Sequence, residues 1–291
     1  MQVEQKRVKK KVSIAIPASV VSDTPHLREK TAKIGTIGRA AAIFRVNEII
    51  IYADNPRTSQ KAETSLTALL LSYMETPQYL RKRLFRLNPN LQYAGILPPL
   101  RTPHHPLNRD MRRLKVGEFR EGAAVSQTKE GTFVDVGVER PALVPNERLP
   151  VNQRVTVRIT GIDEHLEAEL ASHDGIAEYW GYGVVVEKRL FGEMVKSGDF
   201  GLKIATSRLG VSFSSVADAV AGRWKNANSV LVAFGAPTRG LHEVVKDEGL
   251  KIDEIVDFVV NTVPNQGTET VRTEEAVSAS LAVLNTLVFK A

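Results

Sequence analysis

The chain has 291 residues, 43% of them hydrophobic, with a formal net charge of +6 and a sequence pI near 9.4. That length buries one large core and one small one, and the basic balance suits a polyanionic partner. The absence of cysteine excludes disulfides, thiolate zinc sites and cysteine nucleophiles, and with no apolar run of the ~18 residues that span a bilayer and no signal-peptide core, a cytoplasmic protein is expected.

In chain order, a basic tail, KRVKKK (Lys6 to Lys11), precedes a strand at Val12 to Ile16. The helix that follows has Ile34, Ile37, Ala41 and Phe44 at near-helical spacing, with Lys30, Lys33 and Arg39 on its polar side. Arg28 is expected in the loop after Pro25-His26. A strand at Glu48 to Tyr52 leads to a helix around Ala62 to Met74, whose apolar stripe is Leu66, Leu69, Leu70 and Tyr73. Thr76-Pro77 reads as the N-cap and first turn of a short helix. That helix carries Arg81, Lys82, Arg83 and Arg86, which fit a solvated basic face as well as an RNA contact.

From Pro98 to Pro106 four prolines and two histidines mark an extended linker. Short alternating segments replace the helices after it, at Gly122 to Gln127, Thr132 to Val138, Ala142 to Val144, Arg154 to Ile162 and Leu166 to Ala171. Turn signals at Glu130-Gly131, Pro141, Pro145-Asn146 and Asp163-Glu164 separate them, so a small antiparallel barrel is expected over about 112–173, within linkers spanning 98–178. Phe119 and Phe133 are its only aromatics and either suits the core, so the face is aromatic-poor and binding through backbone charge or shape is expected of it. An inserted module has its own core, so excision of Arg112 to His173 is expected to leave the flanking parts, 1–97 and 179–291, folded.

The α/β pattern resumes with strands at Tyr182 to Glu187 and Lys203 to Thr206 and a helix at Val216 to Trp224. Two β-branched runs, Ser229 to Phe234 and Ile255 to Asn261, read as buried parallel strands. Each is followed by a glycine-bearing loop, FGAPTRGL and NTVPNQGTETVRTEE, at the strand end where open α/β sheets bind ligands. Gly235, Gly240 and Gly267 permit close backbone approach or positive φ, and Pro237 and Pro264 stiffen the turns. Neither loop fits G-x-G-x-x-G or the P-loop, and Gly35 with Gly38 makes only G-x-x-G, so a nucleotide-dependent oxidoreductase lacks its fingerprint. In the last helix Thr273 is placed as N-cap, Glu274 and Glu275 complement the dipole, and Val277, Leu281, Leu284 and Val288 form an apolar stripe.

These two strands and loops, with TVRTEEAVSASLAVLN after them, are similar to the C-terminal half of the SPOUT class of RNA methyltransferases. VSIAIPASVVSDTPHLREKTAKIGTIGRAAAIFRVNEIIIY (Val12 to Tyr52), GILPPLRTPHHP and WGYGVVVE resemble its archaeal and eukaryotic rRNA uridine-N3 methyltransferase family. EGTFVDVGVERPALVP resembles the S1-like branch of the OB fold. The resemblance spans nearly the whole chain. It implies an α/β fold with a knotted parallel sheet, helices on both faces, and an inserted OB-like barrel. It also implies S-adenosylmethionine as cofactor, held by Phe234, Gly235, Gly240, Leu241, Thr262, Val263, Pro264, Gln266, Gly267, Thr268, Thr270 and Val271. RNA, most simply rRNA, is the implied substrate and a homodimer the implied assembly.

Methyl transfer from a sulfonium needs alignment, exclusion of water and removal of one proton. Because GRAAAIFRV resembles the segment in which SPOUT enzymes place a functional arginine, Arg39 is the candidate for positioning or electrostatic stabilisation; a surface helix arginine is the plain alternative. Arg28 and Lys30, with Arg39, are the RNA-binding candidates. Thr270 and Arg272 lie in the cofactor loop but also suit capping of the next helix. Asp23 and Asp54 suit loop caps more than proton acceptors. The histidines have no metal-site spacing, so no metal is expected. A catalyst and a non-catalytic RNA-binding or ribosome-assembly protein that keeps the fold both remain consistent with the residues.

Overall fold

A computed structural model describes residues 10–162 and 165–288. The tail up to Lys9, the expected turn at Asp163-Glu164 and the Val288 side chain lie outside the described residues. The elements in chain order are β1 (Lys11–Pro17), α1 (Leu27–Ile43), β2 (Glu48–Tyr52), α2 (Lys61–Glu75), α3 (Gln78–Leu84), β3 (Phe119–Gln127), β4 (Gly131–Asp135), β5 (Ala142–Pro145), β6 (Arg154–Gly161) and β7 (Glu167–Leu170). They continue with β8 (Gly183–Val186), α4 (Phe191–Ser197), β9 (Leu202–Ser212), α5 (Phe213–Asn226), β10 (Ser229–Ala233), α6 (Leu241–Asp247), α7 (Ile252–Ile255), β11 (Phe258–Asn261) and α8 (Thr273–Val288).

Two compact units share the chain. The first comprises Met1–Ser72, Tyr93–Pro98 and Tyr182–Ala291. Its six strands pair in the order β11-β9-β10-β1-β2-β8, and every ladder is parallel. Continuous Val/Ile runs form the central strands because both faces are covered. Ala15, Leu231 and Ala233 pack with Phe191, Val195, Val244 and Ile252 of α4, α6 and α7, while Ile14, Ile16, Val230 and Val232 alternate to the opposite face and are fully buried. On α8, Val277, Leu281 and Leu284 are buried within the chain, and α8 packs on α1 and α5. The apolar stripe of α8 is thus committed to this core.

The second unit, Tyr73–Gln92 with Pro99–Gly181, contains a closed five-stranded barrel, β3-β4-β5-β7-β6. Its ladders are antiparallel except the closing β5–β7 pair, which is parallel. Ala124, Val134, Ala142, Val144, Val157, Ile159 and Ala168 fill the interior. The unit extends beyond the barrel. Arg154 of β6 reaches Glu75 Oε2 at 2.6 Å through Nη1 and Glu121 Oε2 at 2.6 Å through Nε. Tyr79 of α3 donates to the Glu121 carbonyl at 2.7 Å, and its ring lies over Gly137, where a Cβ would come within 2.7–2.8 Å of ring atoms. Excision of Arg112 to His173 therefore strips a buried carboxylate, Glu75, of its guanidinium partner.

Several local expectations change. Arg28 lies in the first turn of α1 rather than a loop. Thr76 does not cap α3: Pro77 holds the N-cap position without a side-chain cap, and the Thr76 carbonyl accepts from Arg81 Nε instead. Ile255 belongs to α7, so β11 starts at Phe258. The strand expected at Lys203 to Thr206 continues to Ser212, with a register shift against β11.

Candidate functional site

Three segments meet in the first unit, one from within β9 and two at the carboxyl ends of β10 and β11, and line a cleft of about 290 Å³. Thr206–Leu209 comes from the far half of β9, Phe234–Gly240 follows β10, and Asn261–Thr273 follows β11. Side chains and carbonyls lace them together. Arg208 Nη1 donates to the Glu269 carbonyl at 2.8 Å, and Asn261 Nδ2 to the Arg208 carbonyl at 3.2 Å. Thr273 Oγ1 donates to the Gly235 carbonyl at 3.1 Å, joining the first turn of α8 to the loop after β10. Below that loop, the buried Tyr52 hydroxyl donates to the Phe234 carbonyl at 2.6 Å.

The loops hold their shape by local bonds. Ala236 N donates to the Arg239 carbonyl at 2.8 Å, closing FGAPTRGL into a tight turn. Asn261 Oδ1 accepts from Val263 N at 3.0 Å, and Asn265 takes φ of 57°. Asn265, not a glycine, thus occupies the left-handed position in the second loop. The glycines differ in role. A Cβ on Gly235 would meet Arg239 O and Gly240 Cα at 3.2 Å, so the turn must give by a few tenths of an ångström to admit a side chain there. At Gly240 and Gly267 a Cβ would meet no atom within 4 Å.

Of the cofactor-binding candidates, Phe234, Gly235, Gly240, Thr262, Val263, Gln266, Thr270 and Val271 line the cleft. Pro264, Gly267 and Thr268 lie exposed in the same loop outside the lining, and Leu241 is fully buried in the core. The sequence reading missed the β9 wall, Thr206–Leu209, and the α6 and α8 contributions His242, Glu243, Ala276 and Ser280. Gly210 is the signal that marks the wall: a Cβ there would come within 2.8 Å of the Val259 and Val260 backbone, so β9 and β11 can touch only with glycine at this point. Thr273 is no N-cap. Arg272 precedes the helix, and its N–H is capped by Glu275 Oε2 at 2.9 Å, the reciprocal half of a capping box.

The cleft fits an S-adenosyl nucleoside. Its volume is near the lower end for small-molecule pockets. It offers main-chain donors and acceptors, the apolar Leu209, Val263 and Val271, and the carboxylates of Glu243 and Glu269. At Gly240 the chain's own packing leaves open space, so a ligand has access to the bare backbone there.

Arg28, Lys30 and Arg39 are outside the cleft lining. All three sit on α1, Arg28 exposed and the other two half-buried. Arg39 turns away from Ile34 and Ile37, both fully buried. Lys33 is not on the polar face. It is 8% exposed, with Nζ 2.7 Å from Asp23 Oδ1 and 3.4 Å from Glu274 Oε2, so it ties the loop after β1 to the first turn of α8. Burial acts to raise the Asp23 carboxyl, but the hydrogen bond and charge of Lys33 prevail and hold it below its usual value. A carboxylate so stabilised is a weak proton acceptor. Asp54 accepts from Ser19 N at 3.0 Å, Ser19 Oγ at 2.7 Å and Gln60 Nε2 at 2.9 Å, as a loop cap does. Among the described residues, no cluster of His, Asp or Glu has metal-site geometry, and no helix is long and apolar enough to cross a membrane.

The profile of the family described as "Putative RNA methyltransferase" matches residues 11–284. The human 28S rRNA (uridine-N(3))-methyltransferase is 33% identical over 304 residues, covering 94% of this chain and 77% of that protein. The mouse protein of the same name is 33% identical, covering 94% and 75%. An uncharacterized protein of Halobacterium salinarum is 34% identical over 94% of this chain and 98% of its own length. The chain belongs to this RNA methyltransferase family.

Proposed function

We propose that the chain transfers the methyl group of S-adenosylmethionine to N3 of a uridine in large-subunit rRNA, as an enzyme of the SPOUT class. Membership of the family and the names of its human and mouse relatives support the substrate. The observation that carries the site is the three-segment cleft, closed by the bond from Thr273 to Gly235. The path of the chain supports the knotted reading: from β10 it passes β9 to pair β11 at the sheet edge, then α8 returns to pack on α1.

The main chain of Phe234 to Gly240 and of Thr262 and Val263 would hold the adenine, and Gln266, Thr270 and Val271 would border the methionine portion. When bound, S-adenosylmethionine supplies an electrophilic methyl carbon on a sulfonium. Arg39 orients the target base and stabilises the negative charge that develops as the N3 proton leaves. Arg28 and Lys30 hold phosphates on the exposed side of α1. The homodimer uses faces of α8 that Val277, Leu281 and Leu284 leave open.

The test is transfer of labelled methyl from S-adenosylmethionine to rRNA, followed by mass-spectrometric mapping of the modified nucleoside. N3-methyluridine at one site is expected. S-adenosylhomocysteine binding with no transfer to any RNA would leave the non-catalytic assembly role in its place.

A further inference from the structure

We infer that Lys33 is a positioning residue for methyl transfer: it clasps the loop after β1, the wall that the target uridine meets, to the first turn of α8, and so fixes the substrate side of the site against the cofactor loops. The inference rests on the reading that the chain methylates RNA. It adds to that reading the group that keeps the two sides of the site in register.

The sheet places the loop after β1 beside the cofactor loops. β1 and β10 are parallel neighbours, and Phe234 N, at the head of the loop after β10, donates to the Ala15 carbonyl of β1 at 2.9 Å. The cleft is walled by segments of β9, β10 and β11, and in the strand order β10 lies between β9 and β1, so β1 is the neighbour on the side away from those walls. A base that approaches the cofactor from that side meets residues 18–26. The inner side of this loop is fixed, with Ala18, Val20 and Val21 fully buried and Ser19 bound to Asp54. Its outer side is open: Ser22, Pro25 and His26 are exposed and lead to the exposed Arg28 of α1.

Carboxylates from both sides of the site converge on one buried cation. Lys33 Nζ lies 2.7 and 2.9 Å from the two carboxylate oxygens of Asp23, in the loop after β1, and 3.4 Å from Glu274 Oε2 of α8. Glu274 Oε2 is buried and makes no hydrogen bond, so the ammonium is what compensates its charge. The residue before it, Thr273, holds the Gly235 carbonyl of the cofactor loop. Contact thus runs unbroken from Gly235 through Thr273, Glu274 and Lys33 to Asp23. Helix packing does not need this arrangement, because Ile34, Ile37 and Ala41 already bury α1, and an ammonium held between carboxylates carries a desolvation cost that an apolar side chain would not. What the clasp supplies is register: in-line transfer requires nucleophile and methyl carbon within about 3.5 Å and aligned, so the wall that meets the base cannot drift from the loops that hold the methyl donor.

Single-turnover methylation of rRNA by the full chain, with S-adenosylhomocysteine calorimetry on the same samples, tests this. Asp23→Asn and Glu274→Gln each leave Lys33 one carboxylate, so both proteins should fold. Each should lower the rate at saturating RNA about 10-fold, short of the ~100-fold that a full ångström of misplacement costs, with S-adenosylhomocysteine affinity unchanged. Asp23→Glu keeps the charge and should recover most of the rate. The double variant should be no slower than the slower single one, because opening the clasp at either end already frees the loop, whereas independent structural losses would multiply. Wild-type rates in both single variants, multiplied losses in the double one, or a fall in S-adenosylhomocysteine affinity as large as the fall in rate would each overturn the proposal. A wild-type protein that transfers no methyl to rRNA would overturn the methyltransferase reading and this role with it; an active wild type with unaffected variants would remove the role of Lys33 alone.

Discussion

Thr273 Oγ1 donates to the Gly235 carbonyl at 3.1 Å across 38 residues of chain, and this bond holds the two glycine-bearing loops in one cleft. Thr273→Val is close to isosteric and removes the donor. A net hydrogen bond contributes ~0.5–1.5 kcal/mol, so S-adenosylhomocysteine affinity should fall by roughly 2- to 12-fold in calorimetry. Thr273→Ser should restore it. Equal affinity for wild type and Thr273→Val would mean that the loops hold their spacing without this bond.

The glycines separate the ligand from the loop. Alanine at Gly235 places Cβ 3.2 Å from Arg239 O, so the turn must shift, and the melting temperature should drop before any ligand is added. Alanine at Gly240 meets no protein atom within 4 Å, so the ligand-free protein should melt as wild type while S-adenosylhomocysteine binding weakens at least several-fold. A Gly240→Ala protein with unaltered affinity would move the ligand away from the amino end of α6.

Much of this site was legible because buried parallel strands leave a continuous Val/Ile record, and glycine-bearing loops at their carboxyl ends have few other uses. The strand at Ser229–Ala233 and the two loops follow from that record alone. The wall at Thr206–Leu209 was hidden because the ladder to β10 ends at Ala205 and the register with β11 skips from Ala205 to Val211, so burial between paired strands no longer demands apolar residues there. Lys33 was misplaced because helical periodicity reports the face, not the partner: two carboxylates 10 and 241 residues away bury a lysine that spacing assigns to solvent. The clasp of Glu75 by Arg154 joins residues 79 positions apart and leaves no local pattern, so the sequence alone reads as a separable barrel.

The same clasp predicts an acid limb. Glu121 is 2% exposed; burial raises its carboxyl, but His173, Arg154, Thr156 and Trp180 together bring it down to about 2 from 4.5. A depressed folded value means that the stabilisation is present above the unfolded value and lost as pH falls from 4.5 towards 2. That difference corresponds to about 3 kcal/mol at neutral pH. Glu75 is shifted the same way, its burial outweighed by His104 and Arg154. His173 is raised by its bond to Glu121, so its smaller share is present below its usual 6.5 and fades as pH rises through the folded value. Urea unfolding followed through Trp180, whose Nε1 donates to Glu121 Oε1 at 2.7 Å, should show stability falling below pH 4.5. Glu121→Gln should be less stable at pH 7 and flatter in acid; parallel curves for the two proteins would assign the acid limb to other carboxylates.

Arg39 carries the mechanistic prediction. It stands on α1 two and five residues from Ile37 and Ile34, rotated from them by about 200° and 140°, and its half-buried position contrasts with their complete burial. Of the groups weighed for the proton and charge balance of the reaction, Asp23 is held ionised by Lys33 and Asp54 is saturated by Ser19 and Gln60, so neither suits proton transfer. The N3 proton passes to water, and a guanidinium stabilises the negative charge that its loss leaves on the base. Arg39→Ala should lower the single-turnover methylation rate ~100-fold or more, as loss of one preorganised donor does, with S-adenosylhomocysteine affinity nearly unchanged. Arg39→Lys should not restore full activity, because an ammonium cannot reproduce the planar fork. A near-wild-type rate for Arg39→Ala would return this side chain to the helix surface and move the search to Arg28 or to a residue of a second copy of the chain.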